Sequence, residues 1–163
     1  MSSTLQPLIV AVDDEADDMF FLRHIINKSG LGHRFQAFAN GEAAVNGLSA
    51  LPAPEVAVAL PLACFVDIKM AAMNGFDLLR WIREQRAFDA MPVFMFSSSD
   101  DPRDVDNARA LGAQGYLKKY PSSTAMKSVL EEAREFALLP EPKKSFVQWS
   151  YRFIDSSDAV PAK

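Results

Sequence analysis

Five short strand-like runs alternate along this chain with five segments of helical periodicity, and that order is the strongest constraint on what it can fold into. Leu8-Ile9-Val10-Ala11-Val12 is apolar without interruption and stops at Asp13-Asp14-Glu15, the mark of a strand buried on both faces. Over 17–28, Met19, Phe20, Leu22, Ile25 and Ile26 recur at helical spacing, and Gly30 stands where a helix is capped. Residues 33–39 alternate as a second strand, and Asn40 caps a helix that runs to about Leu51. The Pro- and Ala-rich stretch 52–61 reads as an elongated connection with a partly helical piece. A third strand over 62–66 ends at Asp67, and a helix over 75–86 follows with Phe76, Leu78, Leu79 and Ile82 on one face. A fourth strand over 91–96 leads into Ser97-Ser98-Ser99. Asp101 and Pro102 then open a helix that Gly112 closes. The fifth strand is Gly115–Lys118, and Ser122 caps a last helix reaching Leu138. Successive βα units predict a parallel sheet, doubly wound, with helices on both faces and right-handed crossovers.

With 163 residues and 49% hydrophobic content, one core and one domain are expected. A net charge of −4 argues against direct binding of nucleic acid, which needs a clustered basic surface. The lone cysteine, Cys64, lies inside an apolar run and reads as a buried structural thiol. The first residues lack a basic stretch followed by a long apolar one, and no run approaches the roughly 20 apolar residues that span a bilayer, so a cytoplasmic protein without membrane contact is expected.

Parallel strands bring their carboxyl ends to one edge, where such sheets bind ligands. Asp13 and Asp14 end the first strand, Asp67 the third and Ser97 the fourth, while Lys119 follows the fifth. With the strand order 2-1-3-4-5, the first and third strands are neighbours and three carboxylates converge. Two unit charges about 4 Å apart repel by roughly 4 kcal/mol in a surface-like dielectric, so a cation is needed. Hard oxygen ligands without Cys or His suit Mg²⁺, and His24 and His33 fall elsewhere, as surface or packing residues. Taken alone, the run from Asp13 to Asp18 reads as a solvated acidic loop with helix N-terminal charges. A carboxylate beside Mg²⁺, a hydroxyl and a lysine is what phosphoryl transfer to an aspartate requires. Asp67 is then the acceptor, while Lys119 and Ser97 meet the phosphoryl oxygens.

Four stretches carry a resemblance: Val-Asp-Asp-Glu at 12–15, Asp-Ile-Lys-Met-x-x-x-x-Gly at 67–75, Ser-Ser-Ser-Asp at 97–100 and Gly-Ala-x-x-Tyr-Leu-x-Lys at 112–119. As an ordered set, the sequence resembles CheY-like receiver domains of two-component response regulators over 8–138. The resemblance implies a five-stranded, flavodoxin-like three-layer sandwich, with residues 1–140 as receiver and 141–163 as a C-terminal extension. It implies that Asp14 and Asp67 ligate Mg²⁺ directly, Asp13 through water, and Lys69 by its backbone carbonyl. It also implies that Ser97 and Tyr116 form the switch pair. Such a domain is a signalling module that catalyses only its own phosphorylation and dephosphorylation, taking the group from a histidine kinase and passing the signal to a downstream protein. The sequence departs from the family at Ala71, where a proline is usual. It departs again at Tyr120, which stands between the lysine and Pro121. Without proline, the Lys119–Tyr120 bond is expected to be trans. Lys118 is the competing lysine, set aside for its offset from Tyr116.

The chain after Pro142 is too short for a DNA-binding output domain, so output through protein contacts is expected. Residues 147–153 alternate strictly, which leaves two readings open. The aromatics cover their own domain, or they form a strand-like arm that reaches a partner subunit. A homodimer through that arm, or through the face of the fourth helix, fifth strand and fifth helix, fits the second. Together with residues 98–104, the tail is similar to the small regulators that serve bacterial phytochromes, which suggests a phytochrome-type photoreceptor as kinase. Ala71 and Tyr120 keep an alternative open, a phosphorylation-independent adaptor on the receiver fold. A phosphohydrolase would want a carboxylate where Lys69 stands, and a flavin carrier a hydroxyl-rich loop where Asp13 and Asp14 stand.

Overall fold

The computed structural model describes residues 6–51, 60–137 and 152–154. The connection over 52–59 and the tail over 138–151, including most of the alternating aromatic run, lie outside the described residues. The elements follow in the order β1 (Leu8–Val12), α1 (Ala16–Lys28), β2 (Arg34–Phe38), α2 (Gly41–Ser49), β3 (Ala63–Val66) and α3 (Gly75–Glu84). They continue with β4 (Val93–Ser97), α4 (Pro102–Ala110), β5 (Gly115–Lys118), α5 (Ser123–Ala137) and β6 (Arg152–Ile154). All strands run parallel in one sheet of order β2-β1-β3-β4-β5-β6. The doubly wound α/β fold read from the sequence is therefore the fold observed, with one strand more than expected. The third helix stops at Glu84, two residues short of the expected Arg86, because Gln85 is extended, and a short 3-10 turn over Arg86–Phe88 follows.

Strand side chains alternate between faces, and the alternation splits the core in two. Val10, Val12, Cys64, Val66, Val93 and Met95 point to one side, against Ala44 and Leu48 of α2, Leu78, Leu79 and Ile82 of α3, and Ala108 of α4. Ile9, Ala11, Phe65, Phe94, Phe96 and Leu117 point to the other, against Leu22 and Ile26 of α1 and Met126, Val129 and Leu130 of α5. Each central strand is thus apolar on both faces, which is why β1, β3 and β4 read as unbroken apolar runs.

Helix starts follow the capping residues. The Asn40 side chain accepts from the Ala43 N–H at 2.7 Å. At α3, Asn74 and Asp77 form a reciprocal capping box with bonds of 2.9 and 3.2 Å. Asp101 caps α4 with Pro102 in its first turn, and the Ser122 hydroxyl accepts from the Ala125 N–H at 3.0 Å. Gly30 and Gly112 take positive φ past the ends of α1 and α4.

The start of α3 lies directly against the end of β3. The Gly75 N–H donates to the Ile68 carbonyl at 2.9 Å, and a Cβ added at Gly75 would come within 2.2 Å of the Asp67 carbonyl oxygen. Both neighbours are backbone, so neither can rotate away. Gly75→Ala is expected to destabilise the fold by about 2 kcal/mol or more, read as a lowered urea midpoint. An unchanged midpoint would mean that the loop after Asp67 can shift to take a methyl group.

Candidate functional site

The carboxyl ends of β1, β3, β4 and β5 share one edge because the strands are parallel and paired in register. The Asp67 N–H donates to the Val12 carbonyl at 2.9 Å, which extends the β1–β3 ladder and sets Asp67 beside Asp13. The Lys119 N–H donates to the Ser97 carbonyl at 2.8 Å, which extends the β4–β5 ladder in the same way. Oxygens of Asp13, Asp14 and Asp67 lie within 4.8 Å of one another. Asp13 and Asp67 are only 4% and 5% exposed, whereas Asp14 faces solvent. Such a set of hard oxygens, open to water on one side and without sulfur or imidazole, can hold a hard divalent cation.

The Lys119 ammonium sits among these acids, 3.1 Å from Asp13, 3.3 Å from Asp67 and 2.6 Å from Asp18. It also lies 5.1 Å from the centre of the Phe96 ring. Lys118 points elsewhere and pairs with the exposed Asp100 at 3.0 Å. Ser97 is buried at the end of β4, where its hydroxyl oxygen accepts from the Ser99 N–H at 3.1 Å. Tyr116 is fully buried, and its hydroxyl donates to the Ser99 carbonyl at 2.7 Å. Lys69 lies in the loop after Asp67 with its side chain exposed. His24 is an exposed residue of α1 stacked on Phe20, and His33 bonds the Leu31 carbonyl at 2.8 Å, both away from the acids.

Two residues at this edge take parts that the sequence reading did not give them. Asp18, read as one of the charges at the start of α1, instead accepts hydrogen bonds from Lys119 and from the Tyr120 hydroxyl. Tyr120 packs its ring against Phe21 and Phe96, at 5.2 and 6.0 Å. The one available signal was Tyr120 itself, a polar aromatic in place of proline that needs a partner for its hydroxyl. The Lys119–Tyr120 peptide bond, expected to be trans, is cis. Local preference did not decide it, because both flanking side chains are held, the ammonium by three carboxylates and the ring by two phenylalanines.

Burial and crowding set the charges. Desolvation, followed by the charge of Asp13, pushes the Asp67 carboxyl up to about 6, although Lys119 works the other way. Asp13 is also raised, again by burial first. Burial works on Asp18 in the same sense, but the bonds from Lys119 and Tyr120 outweigh it and hold this carboxyl below its ordinary value. For Lys119, burial is likewise outweighed by its acidic partners, which keep the ammonium protonated well beyond the usual lysine range. A separate shallow cavity of about 220 Å³ lies between the start of α4 and Phe153, lined by Asp100, Pro102, Val105, Asp106 and Phe153 and by none of the three clustered carboxylates.

Residues 9–131 match the family model described as the response regulator receiver domain. Among curated proteins, the chain is 36% identical over 76 residues to protein PilG of Pseudomonas aeruginosa, covering 47% of this chain and 55% of PilG. It is 29% identical over 111 residues to protein PilH of the same organism, covering 68% of this chain and 84% of PilH. The chain spans about half the length of several curated relatives that it matches, PilG and the transcriptional regulatory protein GltR among them. A solved signal receiver domain of a histidine kinase from Syntrophus aciditrophicus superposes with a TM-score of 0.69 at 25% identity, covering 83% of this chain and 96% of that one. Among the described residues, no helix is long and apolar enough to cross a membrane.

Because the folded protein holds the Asp67 proton more tightly than an unfolded chain does, ionised Asp67 costs stability above pH of about 6, and the cost fades as pH falls toward the ordinary value of 3.8. In chelator, Asp67→Asn is therefore expected to be more stable than the parent by about 2 kcal/mol near neutral pH, the gain shrinking below a pH of about 5. Urea unfolding at the two pH values measures this, and a gain independent of pH would contradict it.

Proposed function

The chain belongs to the response regulator receiver family, and from that premise we propose that Asp67 accepts a phosphoryl group from a histidine kinase, with Mg²⁺ as cofactor. The observation that supports it is the Lys119 ammonium within 3.3 Å of Asp67, beside two further carboxylates at one sheet edge. An Asp67 oxygen bonds to phosphorus as the donor P–N bond breaks, and the electron pair of that bond stays on the imidazole nitrogen. Lys119 offers a phosphoryl oxygen its positive charge, and the Ser97 hydroxyl donates to another. In this reading Asp14 and Asp67 would hold Mg²⁺ directly, Asp13 would act through water and the Lys69 carbonyl would complete the protein ligands. Bound there, Mg²⁺ supplies neutralisation of the charge on carboxylate and phosphoryl oxygens.

The signal then leaves through Ser97 and Tyr116. Drawing the Ser97 hydroxyl toward the phosphoryl group alters its bond to the Ser99 N–H, and Ser99 is the residue whose carbonyl holds Tyr116. The output is a change of protein contacts in the cytoplasm, without nucleic acid, and a phytochrome-type kinase is the narrower form of the proposal. A domain of residues 1–140, an extension from 141 and a homodimer through that extension or the α4–β5–α5 face belong to the same reading. The adaptor alternative draws on Ala71 and Tyr120, but Lys119 meets the acids in spite of Tyr120.

Incubation with acetyl phosphate and Mg²⁺, followed by mass spectrometry, should add one phosphoryl group to the parent protein and none to Asp67→Asn. Failure of the parent to react, also with a phosphorylated cognate kinase, would sink the proposal in favour of the adaptor. Ser97→Ala should keep Mg²⁺ binding but show smaller phosphorylation-linked NMR shifts around Tyr116 and α4. Equal shifts in the two proteins would remove Ser97 from the switch.

A further inference from the structure

The Lys119 ammonium pairs with three carboxylates, donating hydrogen bonds to Asp13 and Asp18 and standing 3.3 Å from Asp67. Two of these, Asp13 and Asp67, belong to the cluster fit for a divalent cation, and the third, Asp18, does not. Lysine and metal therefore compete for Asp13 and Asp67, while Asp18 is left to the lysine. The Asp18 pair is also the shortest, at 2.6 Å against 3.1 and 3.3 Å. Its other carboxylate oxygen accepts from Tyr120, whose ring is seated against Phe21 and Phe96. Asp18 is thus fixed in place by the residue that follows the lysine it binds.

The geometry points to Asp18 as a positioning residue, braced by Tyr120, that takes the Lys119 ammonium from Asp13 and Asp67 when a divalent cation enters and keeps it within reach of a group carried by Asp67. This rests on the reading of Asp67 as a metal-assisted phosphoryl acceptor. An entering cation that evicts Lys119 from two ion pairs leaves it a third, fully charged partner, so a buried cation is not stranded. The same ammonium then has protons to spare for an arriving phosphoryl oxygen. Without Asp18, its remaining acidic partners at this edge are the carboxylates the metal needs, and every bound cation must displace it without a substitute.

Mg²⁺ titration by calorimetry of the full chain tests this without any phosphorylation step. Asp18→Asn should weaken Mg²⁺ binding by about tenfold, Asp18→Glu should stay within about twofold of the parent, and Tyr120→Phe should weaken it by about threefold. Glu131→Gln, an exposed change on α5, should leave the affinity unchanged and controls for lost net charge. The deciding comparison is a double-mutant cycle. In a Lys119→Ala background, Asp18→Asn should no longer matter, because there is no ammonium to hold. A loss of affinity that persists there would make Asp18 a remote charge acting directly on the metal and would overturn the proposal. If Lys119→Ala does not fold, Tyr120→Phe decides, since it changes no charge, and parent-like affinity in that variant overturns it. In acetyl phosphate reactions, Asp18→Asn should need about tenfold more Mg²⁺ for half-maximal rate. An unreactive parent would count against the acceptor reading alone and leave the titration to judge Asp18.

Discussion

The Lys119 ammonium is the interaction on which the rest of this edge depends. It comes from the end of β5 and meets carboxylates at the end of β1, on α1 and at the end of β3, so one charge ties β5 to three elements distant from it in sequence. Without it, two nearly buried acids and a third at the surface would stand within repulsive reach, each pair costing several kcal/mol on the scale of about 4 kcal/mol at 4 Å. The sheet makes such crowding possible, because parallel strands deliver their ends to the same place whatever those ends carry. The lysine makes it tolerable before any metal arrives.

Much of this was legible in the chain. Buried parallel strands leave unbroken apolar runs, so Leu8–Val12 could be read directly, and Gly115–Lys118 was bounded by Gly112 and Ser122. Asp101-Pro102 announced α4 because the capping chemistry is local. Asp13, Asp67, Ser97 and Lys119 could be grouped because topology alone sends strand ends to one edge. Relations that cross between elements after folding were not legible. Asp18 looks like any helix N-terminal acid until β5 is set beside α1, and the geometry at Tyr120 is decided by what holds its neighbours. Alternation near the end of the chain indicated a strand but could not say which edge it would take.

Arg83 shows the same limit at the opposite end of the sheet. In sequence it is one more polar residue on the outer side of an amphipathic helix. In the fold its guanidinium donates to the carbonyls of Gly112, Phe88 and Met91 and to the Gln114 side chain, all at 2.8 to 3.0 Å. Gln114 in turn accepts from the Val93 N–H at 2.7 Å and donates to the Gly112 carbonyl. Burial lowers the arginine to about 10. The amino ends of β4 and β5 are thereby locked by a polar knot, while Ser97 and Lys119 stand at their carboxyl ends among the acids.

The sixth strand changes what the molecule shows to its surroundings. Phe153 packs on the Tyr116 ring at 5.7 Å, and Ile154 is buried beside Leu117, so the outer margin of the sheet is written by residues far downstream of the acidic edge. β5 is thereby an inner strand, and the edge beyond it belongs to β6. The ring whose hydroxyl is held by the Ser99 carbonyl is thereby in direct contact with the outer margin of the sheet, so that a change at Phe153 is felt at Tyr116.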